Sequence, residues 1–354
     1  MIFIHGIGHF HPENIIDNAF LESLDIGTSD EWILERVGIH ERRTVLSLDY
    51  IRSTYNQNPM VMDDALQYSN AQTGAMAARM ALERAELSAE QIGMVIAGGC
   101  LPQYSLPAEA CVLAAELGIE APAFDINSAC STLAVQMHWL NQMRPETLPD
   151  YILLVLPENM TRCIDFKDRN SAVLWGDGSA ALVVSTKIPA RVSMTRSFIQ
   201  SNPSGWSKVT VPAGGHFSQE GSAVQRFAIK TMHASIDTLR EAAQLDPSQH
   251  YFIGHQANLL ALQSTCAAAH IPQGKHLYNV DQFGNTGASG AAIVLSQHWN
   301  HFKPQDTLIM VVVGAGLTWG GMVFNFLGVR GIRSATCISP HQGVPLQSVL
   351  TATK

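Results

Sequence analysis

The chain alternates between short continuous apolar runs and longer stretches in which apolar residues recur at helical spacing. Runs of the first kind lie at 2–8, 92–99, 151–156, 311–316 and 322–327, and read as strands buried on both faces. A further run, 173–184, crosses Gly176-Asp177-Gly178 into a buried strand. Helical spacing marks 65–87, rich in small residues, and 224–243, an amphipathic stretch carrying Arg226, Lys230 and Arg240. Between them, Phe124-Asp125-Ile126 reads as a short buried strand that breaks at small residues and runs straight into a helix over 131–143. Leu133, Ala134, Met137 and Leu140 give that helix one buried face, and Ser131 or Thr132 is its candidate cap. Thr28-Ser29-Asp30-Glu31 has the form of a capping box opening a helix with Trp32 and Arg36. Gly6-x-Gly8 lacks the third glycine of a dinucleotide fingerprint and reads as a tight turn. The strand ending at Gly314-Ala315-Gly316 is followed by another strand, not a helix, so a Rossmann reading fails there too.

At 354 residues the chain has room for two domains or one double domain. Its 46% hydrophobic and 15% charged content describes a globular protein with a large core. The formal net charge of −8 argues against nucleic acid as a partner. Six scattered cysteines, with no CxxC and no metal-ligand spacing to histidine, suit reduced thiols rather than a disulfide framework or a metal site. The N-terminus has neither the basic region nor the long apolar stretch of a signal peptide, and no run approaches the ~18 residues of a membrane span. A cytoplasmic protein with no membrane partner is expected.

Candidate chemistry changes the picture at three places. Cys130 stands just before a helix start, where the positive end of the macrodipole favours a thiolate. A core cysteine is the other reading of that position. His255 ends the apolar run Tyr251-Phe252-Ile253-Gly254, and Asn285 lies in the Gly/Asn-rich loop 279–290 before an apolar helix. Singly, these read equally well as a core histidine and a turn asparagine. Together they form a nucleophile with two polar partners.

That constellation, with the motifs around it, resembles the β-ketoacyl-acyl-carrier-protein synthase III family, condensing enzymes of the thiolase superfamily. The motifs are Thr28–Ile33 with Gly38–Arg43, Gly176–Ala181, His255-Gln256-Ala257-Asn258, and Gly314–Gly320, and they occur in the family's order across nearly the whole chain. The resemblance implies an α/β, five-layered αβαβα thiolase fold made of two similar halves, 1–185 and 186–328. It implies a homodimer that acts on acyl-CoA or acyl-ACP with no cofactor, acyl-CoA being a substrate. Cys130 would carry the acyl group, and the backbone N–H groups of Cys130 and Gly316 would form an oxyanion hole. His255 and Asn285 would hold the thioester carbonyl of a malonyl group on acyl carrier protein while it loses carbon dioxide. Trp32, Arg36 and Arg169 match the positions that stack on the adenine of coenzyme A, and Asn258 joins them as a substrate-binding residue. Arg226 matches a basic residue that docks the acidic carrier protein.

The sequence departs from the family pattern in four places. Residues 44–64 look like an insertion, longer than the usual connection, that would reshape the acyl pocket or the dimer edge. Leu106 stands where many members place a large aromatic gatekeeper across the dimer, and its smaller side chain implies an acyl group longer than acetyl. Leu260 replaces an arginine of the carrier patch, which puts carrier docking in doubt. Residues 329–354 extend beyond the usual end and are expected to pack on something, a partner subunit being one choice. These departures suggest a specialised branch, such as an enzyme condensing two acyl intermediates and cyclising them to dialkylresorcinol or cyclohexanedione products. A non-decarboxylating acyltransferase and a silent subunit of a heteromeric synthase are the other readings. The intact Cys, His and Asn favour condensation over both.

Overall fold

The computed structural model describes residues 1–61 and 63–328, so the expected C-terminal extension 329–354 lies outside the described residues. Nine strands form the main sheet: β1 (Ile2–Phe10), β2 (Met94–Ala97), β3 (Ala123–Asp125), β4 (Ile152–Asn159), β5 (Asp177–Ser185), β6 (Val192–Ser201), β7 (His250–Gly254), β8 (Thr307–Gly314) and β9 (Thr318–Phe326). Their spatial order is β7-β8-β9-β6-β1-β5-β4-β2-β3. From the β1/β6 seam outward, the order β1-β5-β4-β2 is repeated as β6-β9-β8-β7. The senses repeat too, since β4 pairs β2 in parallel as β8 pairs β7, and β5 and β9 are antiparallel to both neighbours. Beyond β7, a parallel bridge from Phe252 to His276 occupies the place that β3 takes in the first half.

Helices complete the layers. The principal ones are α1 (Asp30–Val37), α2 (Leu48–Thr54), α3 (Asn70–Ala85), α4 (Glu109–Leu117), α5 (Thr132–Gln142), α6 (Gly221–Ala243), α7 (Leu259–Ala268) and α8 (Gly290–Gln297). On one outer face α3 packs on β1, β5 and β4, with α4 beside it. On the other, α6 packs on β6, β8 and β9, with α7 beside it. Between the halves, α5 touches β6, β8 and β9 as well as β1 and β4, while α8 touches β1, β5 and β7. The result is the αβαβα thiolase-like arrangement, with a central helical layer shared by both halves. Every residue of β4 and β5 is buried, as expected of strands covered on both faces. None of the helices in the described residues is long and apolar enough to cross a membrane.

Several expectations are corrected. Gly6 and Gly8 lie inside β1, not in a turn after it. A Cβ on Gly6 would sit 2.1 Å from Ala81 O, and one on Gly8 2.1 Å from Ala77 O. The bare strand thus lets the alanine-rich α3 lie directly against it, a long-range reason that a local reading misses. β3 is the edge strand, half-buried with Asp125 exposed, rather than a buried one. Asp125 accepts from Glu109 N and Ala110 N, holding the start of α4. At α1 the cap is Ser29, which accepts from Trp32 N. No capping box forms, because Trp32 holds the third helical position that a glutamate or glutamine would need.

The segment 44–64 is an anchored piece of structure rather than a long loop. Ile51 of α2 is buried in the core. The fully buried Asn56 donates from Nδ2 to the carbonyls of Arg162 and Ile164. Phe166 N and His216 Nε2 bond the Tyr55 and Asn56 carbonyls respectively.

Candidate active site

Cys130 occupies a single 3-10 turn, Ala129–Ser131, between β3 and α5. Ala129 is held at φ +46°, a left-handed conformation that non-glycine residues adopt at a cost of about 1 kcal/mol or more. What holds it is a local net of bonds. Asn127 Oδ1 accepts from Ala129 N, and Ser131 N donates to Ser128 O. Thr132 Oγ1 accepts from Ser128 N and donates to Ala129 O. Neither Ser131 nor Thr132 caps α5 in the expected sense. Both hydroxyls reach back into the turn, because Ser131 is already wound and Thr132 already helical.

Two other segments close on this turn. His255 follows β7 and is 8% exposed. Gln256 fixes its surroundings: Nε2 donates to Gly254 O at 2.7 Å, and Oε1 accepts from Asn279 N and Val280 N. Asn285 is buried, with its backbone paired to residues 174–176. Its Oδ1 accepts from Gly287 N at 3.0 Å, which leaves Nδ2 as the donor available to the cavity. Cys130, His255 and Asn285 line one cavity of about 640 Å³, with Gly314, Ala315 and Leu317 on its floor. Gly316, at φ +121°, makes the turn between β8 and β9, a conformation that requires glycine. That turn packs against the Cys130 turn.

The electrostatics separate the groups. A hydrogen bond from the Cys100 thiol, then one with the His255 ring, hold the Cys130 thiol well below the ordinary thiol range, although burial opposes them. Cys100 is pushed up by the same thiol contact and by burial. Of this tightly coupled pair, Cys130 is the thiolate, because it faces the imidazole while Cys100 is backed by the carboxyl of Glu158. Burial, then the Cys130 charge, raises Glu158 to about 8. Reading the sequence identified neither Cys100 nor Glu158 as part of the site, though both sit just past the ends of apolar runs.

The raised carboxyl has a consequence for stability. Unfolded, Glu158 ionises near pH 4.5, whereas folded it stays protonated to about 8. The native state therefore loses stability as pH rises through that window, because only the unfolded chain releases the proton. Glu158→Gln removes this penalty. Its gain in unfolding free energy over the parent is expected to grow by up to about a few kcal/mol from pH 5 to pH 8. Chemical denaturation at the two pH values measures it, and a pH-independent difference would refute the assignment.

Around the mouth, Trp32, Arg36 and Asn258 line the cavity, as do Asp168 and Asn170 on either side of Arg169. Both guanidiniums stack on the indole, Arg36 at 4.4 Å and Arg169 at 4.8 Å from the ring centroid. Asn258 has structural duties: Oδ1 caps α7 through Ala261 N, and Nδ2 donates to Arg36 O. Arg226 is exposed on α6 between the lining residues Gln225 and Phe227. Leu106 is not brought to the cavity; it is 86% exposed on the surface of the chain. None of the described residues of 44–64 lines the cavity either.

Comparison with known proteins supplies the context. Residues 124–203 match the family model for 3-oxoacyl-[acyl-carrier-protein (ACP)] synthase III, and residues 240–326 match the model for its C-terminal part. A β-ketoacyl-[acyl-carrier-protein] synthase III from Syntrophomonas wolfei is 32% identical over 344 residues, covering 91% of this chain and 97% of that protein. The protein of the same name from Coxiella burnetii is 29% identical over 335 residues, covering 91% and 98%. The crystal structure of 3-oxoacyl-[acyl-carrier-protein] synthase III from Aquifex aeolicus superposes with a TM-score of 0.82 at 27% identity, over 92% of this chain and all of that one. With likeness sustained along nearly the full length of both proteins, the chain belongs to the β-ketoacyl-acyl-carrier-protein synthase III family.

Proposed function

We propose that the protein is an acyltransferase that joins two acyl thioesters by decarboxylative Claisen condensation, in fatty acid or polyketide synthesis. The observation that carries the reading is the convergence of Cys130, His255 and Asn285, from three separate segments, on one cavity. In the first half-reaction the Cys130 thiolate attacks an acyl thioester and expels its thiol. The N–H groups of Cys130 and Gly316 receive the oxyanion. In the second, the extender is a malonyl thioester on acyl carrier protein. His255 and the Nδ2 group of Asn285 donate to its thioester carbonyl, which becomes an enolate as carbon dioxide departs. The enolate carbon attacks the acyl-Cys130 carbonyl, the C–S bond breaks, and a β-ketoacyl product leaves. Neutral donors suit the step, because a carboxylate in either place would repel the developing charge.

Trp32, Arg36 and Arg169 are the proposed adenine-stacking residues of an acyl-CoA site, with Asn258 keeping Arg36 in place. The exposed Arg226 is the proposed contact for the carrier protein. Homodimerisation is the proposed assembly, and the exposure of Leu106 on a single chain suits a side chain that reaches a partner's acyl pocket. The repeated strand order supports dividing the described chain at 185/186.

Intact-protein mass spectrometry after incubation with acyl-CoAs from acetyl to dodecanoyl tests the reading. The parent is expected to gain one acyl group and Cys130→Ala none. Equal labelling of both proteins would overturn the assignment of the nucleophile.

A further inference from the structure

Outside the Cys130, His255 and Asn285 set, a second thiol and a buried carboxyl sit against the same nucleophile. Cys100, in the loop after β2, places its Sγ 3.4 Å from Cys130 Sγ. Its own N–H donates to Glu158 Oε1 at 2.9 Å, and Ala288 N donates to the same oxygen at 2.7 Å. Glu158 is fully buried at the end of β4, and its other oxygen, Oε2, has no hydrogen-bond partner among the described residues. Gly287 presses on both groups: a Cβ there would lie 2.6 Å from Glu158 Oε1 and 3.1 Å from Cys100 Sγ.

We infer that Cys100 is a positioning residue for the condensing cysteine: its S–H donates to the Cys130 sulfur, while Glu158 fixes the loop that carries it. The inference rests on the reading of Cys130 as the nucleophile and adds a residue to it. The Cys130 sulfur must be an anion when it attacks, neutral while it carries the acyl group, and an anion again when it leaves. A thiol is a weak donor to a neutral thioester but a charge-assisted one to a thiolate. Cys100 therefore favours the two states in which charge sits on sulfur. No proton changes hands between the thiols. In condensation the enolate forms the new C–C bond, the C–Sγ bond breaks, and its electron pair returns to Cys130 Sγ, where the Cys100 S–H meets it. Glu158, kept protonated by its burial, can stand behind the donor without adding a competing negative charge.

The test uses the full chain under reducing conditions. Alkylation of Cys130 by iodoacetamide is followed from pH 5 to 10 by peptide mass spectrometry, in the parent, Cys100→Ala, Cys100→Val and Cys100→Ser. Val resembles Cys in size without a donor, whereas Ser keeps one. The midpoint for Cys130 is expected to rise by about one pH unit in Ala and Val, a tenfold loss of thiolate at any pH well below the parent's midpoint, and to move little in Ser. Acyl-Cys130 should also persist longer in single-turnover condensation with Ala and Val than with Ser. Thermal unfolding identifies any variant that fails to fold; if one of Ala and Val fails, the other carries the comparison with Ser. Folded donor-less variants with the parent's midpoint would overturn the inference while leaving the nucleophile standing. A parent in which Cys130 is neither alkylated nor acylated would overturn both.

Discussion

Asn285→Asp is expected to leave acylation of Cys130 within about threefold of the parent while lowering condensation by about 10³ near pH 8. The substitution is nearly isosteric. The Oδ1 that accepts from Gly287 N is kept, and so are the backbone bonds to Leu174 and Gly176. What changes is the atom that faces the cavity: a donor N–H becomes a carboxylate oxygen. Loss of one donor to a developing oxyanion costs about 10² to 10³ in rate, and a like charge beside the enolate adds to that. In the proposed mechanism acylation does not use this donor, because its oxyanion would be received by the backbone N–H groups of Cys130 and Gly316. The same burial that raises Glu158 would raise the new carboxyl, and its protonated form can donate an O–H. Condensation by the variant is therefore expected to recover in part as pH falls towards 6, unlike Asn285→Ala. Single-turnover assays separate the halves, with release of coenzyme A reporting acylation and β-ketoacyl product reporting condensation. Equal loss in both halves would mean that the loop had collapsed, and the role assigned to Nδ2 would fall.

How much of this is legible in the sequence depends on the range over which each feature is determined. The runs that became β4 and β5 were readable because burial on both faces leaves no polar position to disguise them. The Cys130 turn was readable because its small residues and the apolar face Leu133, Ala134, Met137 and Leu140 are local. Gly6 and Gly8 look like a turn locally because the reason for them lies some seventy residues away, in the carbonyls of Ala77 and Ala81. The edge position of β3 is a property of the sheet order, which no single segment encodes. Cys100 and Glu158 were missed as site residues for a related cause. Cys100 follows β2, Glu158 lies near the end of β4 and Cys130 follows β3, and only the adjacency of these three strands in the sheet brings them together.

Gly314→Ala offers a lesion in which the effect on stability and the effect on rate should separate. Gly314 ends β8 at φ −132° and ψ 172°, extended backbone that alanine adopts freely, so conformation raises no objection. Space does. An added Cβ would lie 2.8 Å from Ser131 N, 3.0 Å from Ser131 Oγ and 3.1 Å from Cys130 N. Two of those atoms are backbone and cannot swing aside, so either β8 or the nucleophile turn must shift. β8 is held by β7 and β9 along its length, whereas the turn is a single 3-10 loop built around a left-handed Ala129. The turn is therefore the part expected to move, by a fraction of an ångström. Overpacking of this kind costs about 1–3 kcal/mol, which a protein of this size registers as a fall of a few degrees in melting temperature. The catalytic cost is expected to be larger, because displacing a nucleophile by about 1 Å can lower the rate about 10²-fold. Both half-reactions should fall together, since each forms or breaks a bond at Cys130 Sγ, and that shared loss distinguishes this variant from Asn285→Asp. Melting curves and single-turnover acylation measure the two terms. A variant melting within a degree of the parent and acylating at its rate would show that the turn tolerates the methyl group, and that Gly314 is not what positions Cys130 against the floor of the cavity.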